Sequence, residues 1–416
     1  MKNIILIVTG LCVLLSSCEE YADSGTYENP LLKYYGDAYV DRGSALVETG
    51  GGYALAGMRT VVARTASEGG SIIDSSGQEF AVLKTGSRGS LDWSFLSANS
   101  VYDEARALIG LDDGSILAAG YTGGSSASAG KDILVTLLDA QGGVQWQKSY
   151  GGEGDQVAND VIQCDDSGFI ILGSTNVENT AGGIGRDNPS GRLNVFILKI
   201  SSQGDSLWSN SVGFEGDDEG IRITGEAAGD GYMVLASTDI SEPDKDQDQN
   251  NIFFFRINSV GTGTKYNIFG TAGNETPSDM LVHEDSYVIL SASGSSSAAD
   301  TEIFMLRIGN DIQAAPMLDR RISMEGKRVV LRSVCRHPDG FYVIAGGVGD
   351  PLEEDMLFYF MNDDGSSYAL PHSPAGQGSQ VVNDVIIDGA ENIVAVGTNG
   401  TEVSSLITLY KFEKPR

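Results

Sequence analysis

Seven copies of one pattern, a turn followed by a short apolar run, recur along the chain and dictate its architecture. They read GGGYALAGMRT from Gly50, DDGSILAAGYT from Asp112, DDSGFIILGST from Asp165 and GDGYMVLASTD from Gly229. HEDSYVILSAS from His283, HPDGFYVIAGG from His337 and GAENIVAVGTN from Gly389 complete the set. Measured from Gly52, Gly114, Gly168, Gly231, Ser286, Gly340 and Glu391, the copies are separated by 62, 54, 63, 55, 54 and 51 residues. Self-similarity at such a period means stacked supersecondary units, each unable to bury its apolar surface alone. A unit of about fifty residues with four strand-like segments is the size of a propeller blade.

The stretch from Asp132 to Gly173 shows the whole unit. Two apolar runs, ILVTLL and VQWQKSY, flank DAQGG, and an Asp-rich corner leads to two more, VANDVIQ and FIILG, that flank DDSG. Four short runs joined by tight turns predict an antiparallel meander. All three Trp of the chain, Trp93, Trp146 and Trp208, stand four residues after a turn Gly, and Tyr266 and Tyr368 take roughly that place in later units. An aromatic that recurs once per unit is expected to pack between adjacent sheets. The corners YGGEGDQVAND, VGFEGDDEGIR, FGTAGNETPSD and PAGQGSQVVND carry recurring Asp and Gly, read as structural turn residues.

The expected fold is therefore all-β, a seven-bladed β-propeller of four-stranded antiparallel blades. The last copy ends at YKFEK without its aromatic strand, whereas LLKYYGDAYVDRGSALVE near the N-terminus matches the late part of a unit. Residues 31–36 should supply the missing outer strand of the last blade and close the ring, removing the unpaired edge of a linear array. Residues 31–416 then form one propeller domain.

The first eighteen residues are MKNIILIVTGLCVLLSSC. The apolar run from Ile4 to Leu15 has the length of a signal-peptide core and is too short to span a bilayer. Leu15-Ser16-Ser17-Cys18 resembles the lipobox of bacterial lipoproteins. That resemblance implies a signal peptide over 1–17, acylation (palmitate included) at Cys18, and attachment to a membrane through lipid alone. The acidic stretch over 18–30 reads as a tether, and its acidic run resembles the surface-export signal of Bacteroidota lipoproteins.

A formal net charge of -30 repels nucleic acid and anionic headgroups, so no nucleic-acid partner is expected. Cys164 and Cys335 occupy one repeat position three blades apart, too far for a disulfide, and are read as small buried residues. The three His, His283, His337 and His372, form no catalytic motif with their neighbours, and no GxSxG, HExxH or CxxC occurs. No cofactor is expected, with one candidate metal site. In the insertion SEPDKDQDQNN, Asp244, Asp246, Asp248 and Asn250 alternate as oxygen donors suited to Ca²⁺, but Gln249 and Phe255 stand where a calcium loop needs Gly and Glu. Three insertions, Arg59 to Gln78, Asn176 to Leu193 and Asp239 to Asn251, fall at one point of the unit and should rise together on one face.

The repeat resembles that of secreted and lipid-anchored Bacteroidota proteins, similar to SBBP-type seven-bladed propellers. The resemblance implies a fold and an outer-membrane, cell-surface address, while propellers serve many activities. The expectation is a non-enzymatic module docking a protein complex or a glycan. The alternative is a carbohydrate-active enzyme, hydrolase or lyase, with carboxylates and flanking aromatics in the propeller funnel.

Overall fold

The computed structural model describes residues 31–413 except 38, 67–71, 98–101, 124–129, 178–191, 228, 241–249, 272, 295–300, 325–326, 351–352, 373–377 and 402–403. Twenty-eight strands form seven four-stranded antiparallel sheets. Blades one to six span 42–96, 103–150, 156–212, 218–269, 274–323 and 329–372. Blade seven combines Ser379–Ile387, Ile393–Thr401 and Ser404–Phe412 with Leu31–Tyr35 from the other end of the chain. That N-terminal strand pairs from Leu31 opposite Lys411 to Tyr35 opposite Ile407. The expected closure is present.

The buried apolar side chains fall into seven clusters, each shared by two neighbouring blades. Each blade thus buries both faces, which is why its middle strands are continuous apolar runs rather than alternations. In blade four Phe253 and Phe255 face blade three while Phe254 faces blade five, and all three are fully buried. At about 25 cal/mol per Å² of apolar area, a buried Phe contributes roughly 2–3 kcal/mol relative to exposure.

The recurring aromatics sit between blades, as their periodicity suggests. Trp93, Trp146 and Trp208 each cover the turn glycine of the next blade, Gly142, Gly204 and Gly261, all at positive φ. The Trp93 and Trp146 indoles donate to the carbonyls of Ala140 and Ser202, both at 3.2 Å. Blade seven uses the Tyr35 hydroxyl, which donates to the Gly89 carbonyl at 2.8 Å, and blade five uses Arg320 over Gly365. Tyr266 differs: it packs back toward blade three against Phe214 and Phe253, and Asn267 reaches the Ile312 carbonyl instead. The side chain of Tyr368 lies outside the described residues.

In blade three the left-handed turn residue is Ser167. One reading of small residues needs correction. Cys164 and Cys335 are free, as their separation requires, but only partly buried, since they lie at the ends of inner strands where blades splay apart.

Inner strands are bulged, and the bulge explains a glycine of the repeat. Opposite it stand Gly57, Gly120, Gly173, Gly346 and Gly397, where a Cβ would lie 1.8 to 2.2 Å from the bulged strand's carbonyl oxygen. Substituting Gly120→Ala should therefore force the Glu104 carbonyl to move and cost about 2–3 kcal/mol, read as a lowered urea midpoint at unchanged slope.

Candidate functional site

Each inner strand carries one extra residue against its partner, a bulge lying between Gly43 and Ala45 in blade one and at equivalent points in the other six. The extra residues are Ser44, Arg106, Asn159, Ile221, Ser278, Arg332 and Asn383. All seven line a single cavity of about 350 Å³ on the propeller axis, together with Arg42, Ala45, Glu104 and Arg222. A bulge turns one side chain out of the alternation, so seven bulges aim seven side chains at the axis. The inner strands enter from the face that also carries the loops between second and third strands. The cavity therefore opens on the insertion-bearing face.

One residue deeper the ring reads Ala45, Ala107, Asp160, Arg222, Asp279, Ser333 and Asp384. Arg222 Nε donates to Asp279 at 2.7 Å and its Nη1 to Asp160 at 3.3 Å, with Asp384 at 3.9 Å. Each carboxylate also takes a backbone N–H from the following blade: Ile223 for Asp160, Val334 for Asp279 and Leu46 for Asp384, at 2.8 to 2.9 Å. Ser333 donates to Asp384 at 2.9 Å, adding a tie between blades six and seven. The three Asp thus latch blades three to four, five to six and seven to one. The Asp279 carboxylate, then Asp160 and Asp384, hold Arg222 protonated. Burial pushes Asp160 up against the opposing pull of Arg222, and brings Asp384 to about 6.

The mouth is cationic. Arg106 answers Glu104 at 3.2 Å and donates to Asn159 at 2.8 Å, while Asn383 donates to the Gly43 carbonyl at 2.6 Å. Among the described residues no aromatic side chain lines the cavity.

The corner carboxylates do a second job. Asp41 and Asp218 each accept the N–H four residues before them, and Gln156 and Glu275 do the same with amide and carboxylate oxygens. Burial, aided by the Asp239 and Asp217 carboxylates, pushes Asp218 up to about 7.

The expected site residues fare differently. Cys18, Asp244, Asp246 and Asp248 lie outside the described residues, as do the tips of the three insertions. Asn250 is exposed and joins blades four and five, donating to Asn274 at 3.0 Å while its carbonyl accepts from Glu275. Among the described residues no three His, Cys, Asp or Glu come together as metal ligands, and no helix is long and apolar enough to cross a membrane. His283 and Tyr342 hydrogen-bond at 2.5 Å, and His337 meets the Glu391 carbonyl at 3.2 Å, so both join neighbouring blades. The axial arginines were not singled out from the sequence. For Arg106 and Arg332 the signal was the residue before each hub position, which changes type from copy to copy; Arg222 stands at the hub position itself.

No protein-family model and no curated protein matches the sequence. Among solved structures, a puromycin hydrolase S511A mutant is similar at 12% identity and a TM-score of 0.51, over 87% of this chain and 51% of that one. This chain thus spans about half of that structure. The NanB sialidase of Streptococcus pneumoniae is 7% identical, covering 92% of this chain and 94% of that one at a TM-score of 0.48. The Pan2 WD40 domain of Neurospora crassa is 10% identical, covering 92% and 98% at 0.46. At these identities the likeness is one of fold alone.

Two outcomes are expected from the hub and corners. Replacing Arg222→Met should strand Asp160 and Asp279 and cost about 3–5 kcal/mol in denaturant unfolding. Because Asp384 and Asp218 are raised above the unfolded carboxylate value near 4, the folded state binds more protons between pH 4 and 7, and stability should increase as pH falls through that window. The thermal midpoint should be several degrees higher at pH 5 than at pH 8, and Asp218→Asn should flatten the rise. Below pH 4, paired carboxylates held low by Arg336 and Arg256, namely Asp363 and Glu226, lose their contribution.

Proposed function

We propose that the chain is a non-enzymatic binding module, anchored by lipid at Cys18 in a bacterial outer membrane and presenting its insertion-bearing face to a surface protein complex or a glycan. The observation that carries the non-enzymatic reading is the assignment of the axial carboxylates. Asp160, Asp279 and Asp384 are each committed to N–H groups of the next blade, and Glu104 to Arg106. Glycoside chemistry asks for two carboxyl groups free to face a sugar, one protonated and one ionised. A cavity rimmed by arginine, serine and asparagine supports recognition instead.

A rigid ring supports docking because it holds loops from several blades at fixed spacing, which lowers the ordering cost of binding. The second and third strands of blades one, three and four are joined at the end of the blade from which the inner strands enter, the end on which the axial cavity opens. Lipid attachment leaves the chain within reach of membrane partners without a spanning segment.

Purification of the lipidated protein from native membranes in mild detergent, followed by mass spectrometry, should recover a stoichiometric partner that is lost when residues 176–193 are trimmed. A turnover activity abolished by a single axial carboxylate substitution would overturn the reading. Labelling cells with radioactive palmitate should mark the wild-type chain and leave Cys18→Ala unlabelled; label on the variant would remove the anchor from the proposal.

A further inference from the structure

The cavity on the axis holds cations with nothing to answer them. Glu104 and Asn159 occupy Arg106, and the hub carboxylates occupy Arg222. Among the described residues the guanidinium groups of Arg42 and Arg332 make no hydrogen bond and no ion pair, although both line the cavity. Arg332 lines the channel from its bulge and, like Arg42, is exposed to the water in it. Desolvation there holds it below the usual arginine range; Glu354 pulls the other way, and Arg42 and Arg328 add repulsion. Glu354 itself is paired with Arg328 at 2.7 Å. Two guanidiniums repelling each other across a polar cavity, in a chain of net charge -30, form an arrangement that an anion would relieve.

We propose that the mouth of the axis binds the carboxylate of a small hydroxylated monoanion, gripped between Arg42 and Arg332, with the side-chain oxygens of Ser44, Ser278 and Asn383 accepting from its hydroxyl groups. This rests on the reading of this face as a binding surface, and names the chemistry that surface selects. The forked donors of guanidinium match the two oxygens of a carboxylate. Beneath the mouth three carboxylates face one Arg222, so the floor repels an anion of any charge, and the site favours one that adds hydroxyl contacts to its charge over one that, like phosphate, brings charge alone. The volume of about 350 Å³ suits a ligand of monosaccharide size. The polar lining, with Ile221 its one large aliphatic member among the bulge residues, suits hydroxyl groups better than a hydrocarbon chain.

Calorimetric titration of the full-length lipidated protein in detergent with D-glucuronate, D-glucose and inorganic phosphate tests this. Glucuronate should bind, glucose at least about tenfold more weakly, and phosphate more weakly than glucuronate, with tenfold corresponding to about 1.4 kcal/mol. Arg42→Ala and Arg332→Ala should each weaken glucuronate about tenfold or more, and Arg332→Lys should restore part of it. Unchanged thermal midpoints in these variants would assign the losses to contact rather than folding. Equal binding of glucose, tighter binding of phosphate, absence of binding, or full affinity in both alanine variants would overturn the site. A protein that keeps its membrane partner while failing to bind glucuronate overturns this inference and leaves the docking reading standing. Glucuronate binding by a protein that captures no partner does the reverse.

Discussion

No blade of this protein can cover its own two faces, and the ring exists because of that constraint. A four-stranded sheet whose middle strands read ILVTLL or NIFFFRI is apolar on both sides, so each face must meet another sheet. Seven shared clusters satisfy every blade only if the seventh also meets the first. The cluster that joins them draws Leu46, Leu55 and Leu83 from blade one and Val394, Val396 and Leu409 from blade seven. Beside it Tyr53 donates to Asp388 at 2.7 Å and Lys411 lies within 3.3 Å of the same carboxylate. Closure is therefore sealed by the same mixture of packing and polar ties that seals the other interfaces.

Packing around the rim leaves an axis that apolar residues do not fill, and the bulges decide what does. Each bulge costs a ladder hydrogen bond, and five of the seven a glycine opposite, and in return points one more side chain inward. The deeper ring is spent on cohesion, with three carboxylates bridging successive blades and a single guanidinium holding them. Buried ions are a weak source of stability but a strong source of register, because a misplaced blade would strand a charge. The outer ring shares that duty only at Arg106, Asn159 and Asn383, and its remaining residues vary and can carry recognition.

Much of this was legible in the sequence where residues act through local chemistry or repetition. The copies from Gly50 to Gly389 gave the number of blades, the three Trp that follow turn glycines gave the contact between blades, and LLKYY gave the closing strand. The corner segments were half understood. Their first carboxylates cap turns, as Asp218 does for Phe214, but the last residue of VAND, TPSD and VVND lies in the hub and reaches another blade. Arg222 occupies that same position in EGIR, so one register held both signs of the central ion cluster. Nothing local announces that partnership, since Asp160 and Arg222 meet only after two blades have folded. The mouth arginines were hidden for a related reason: Arg42 and Arg332 are distant in sequence and become neighbours only through the closed ring.

The closing strand has a consequence in time. Leu31–Tyr35 is made first, yet its partner Ser404–Phe412 is made last, and the register of Leu31 against Lys411 spans almost the whole chain. Until the ribosome finishes, six complete sheets can assemble side by side while the seventh lacks its outer edge. Loop closure of this length is slow, and an open edge in the meantime is a template for pairing with another chain. Both ends of the molecule must therefore be present before the fold becomes resistant to unzipping, and loss of Ser404–Phe412 would unpair the first strand as well.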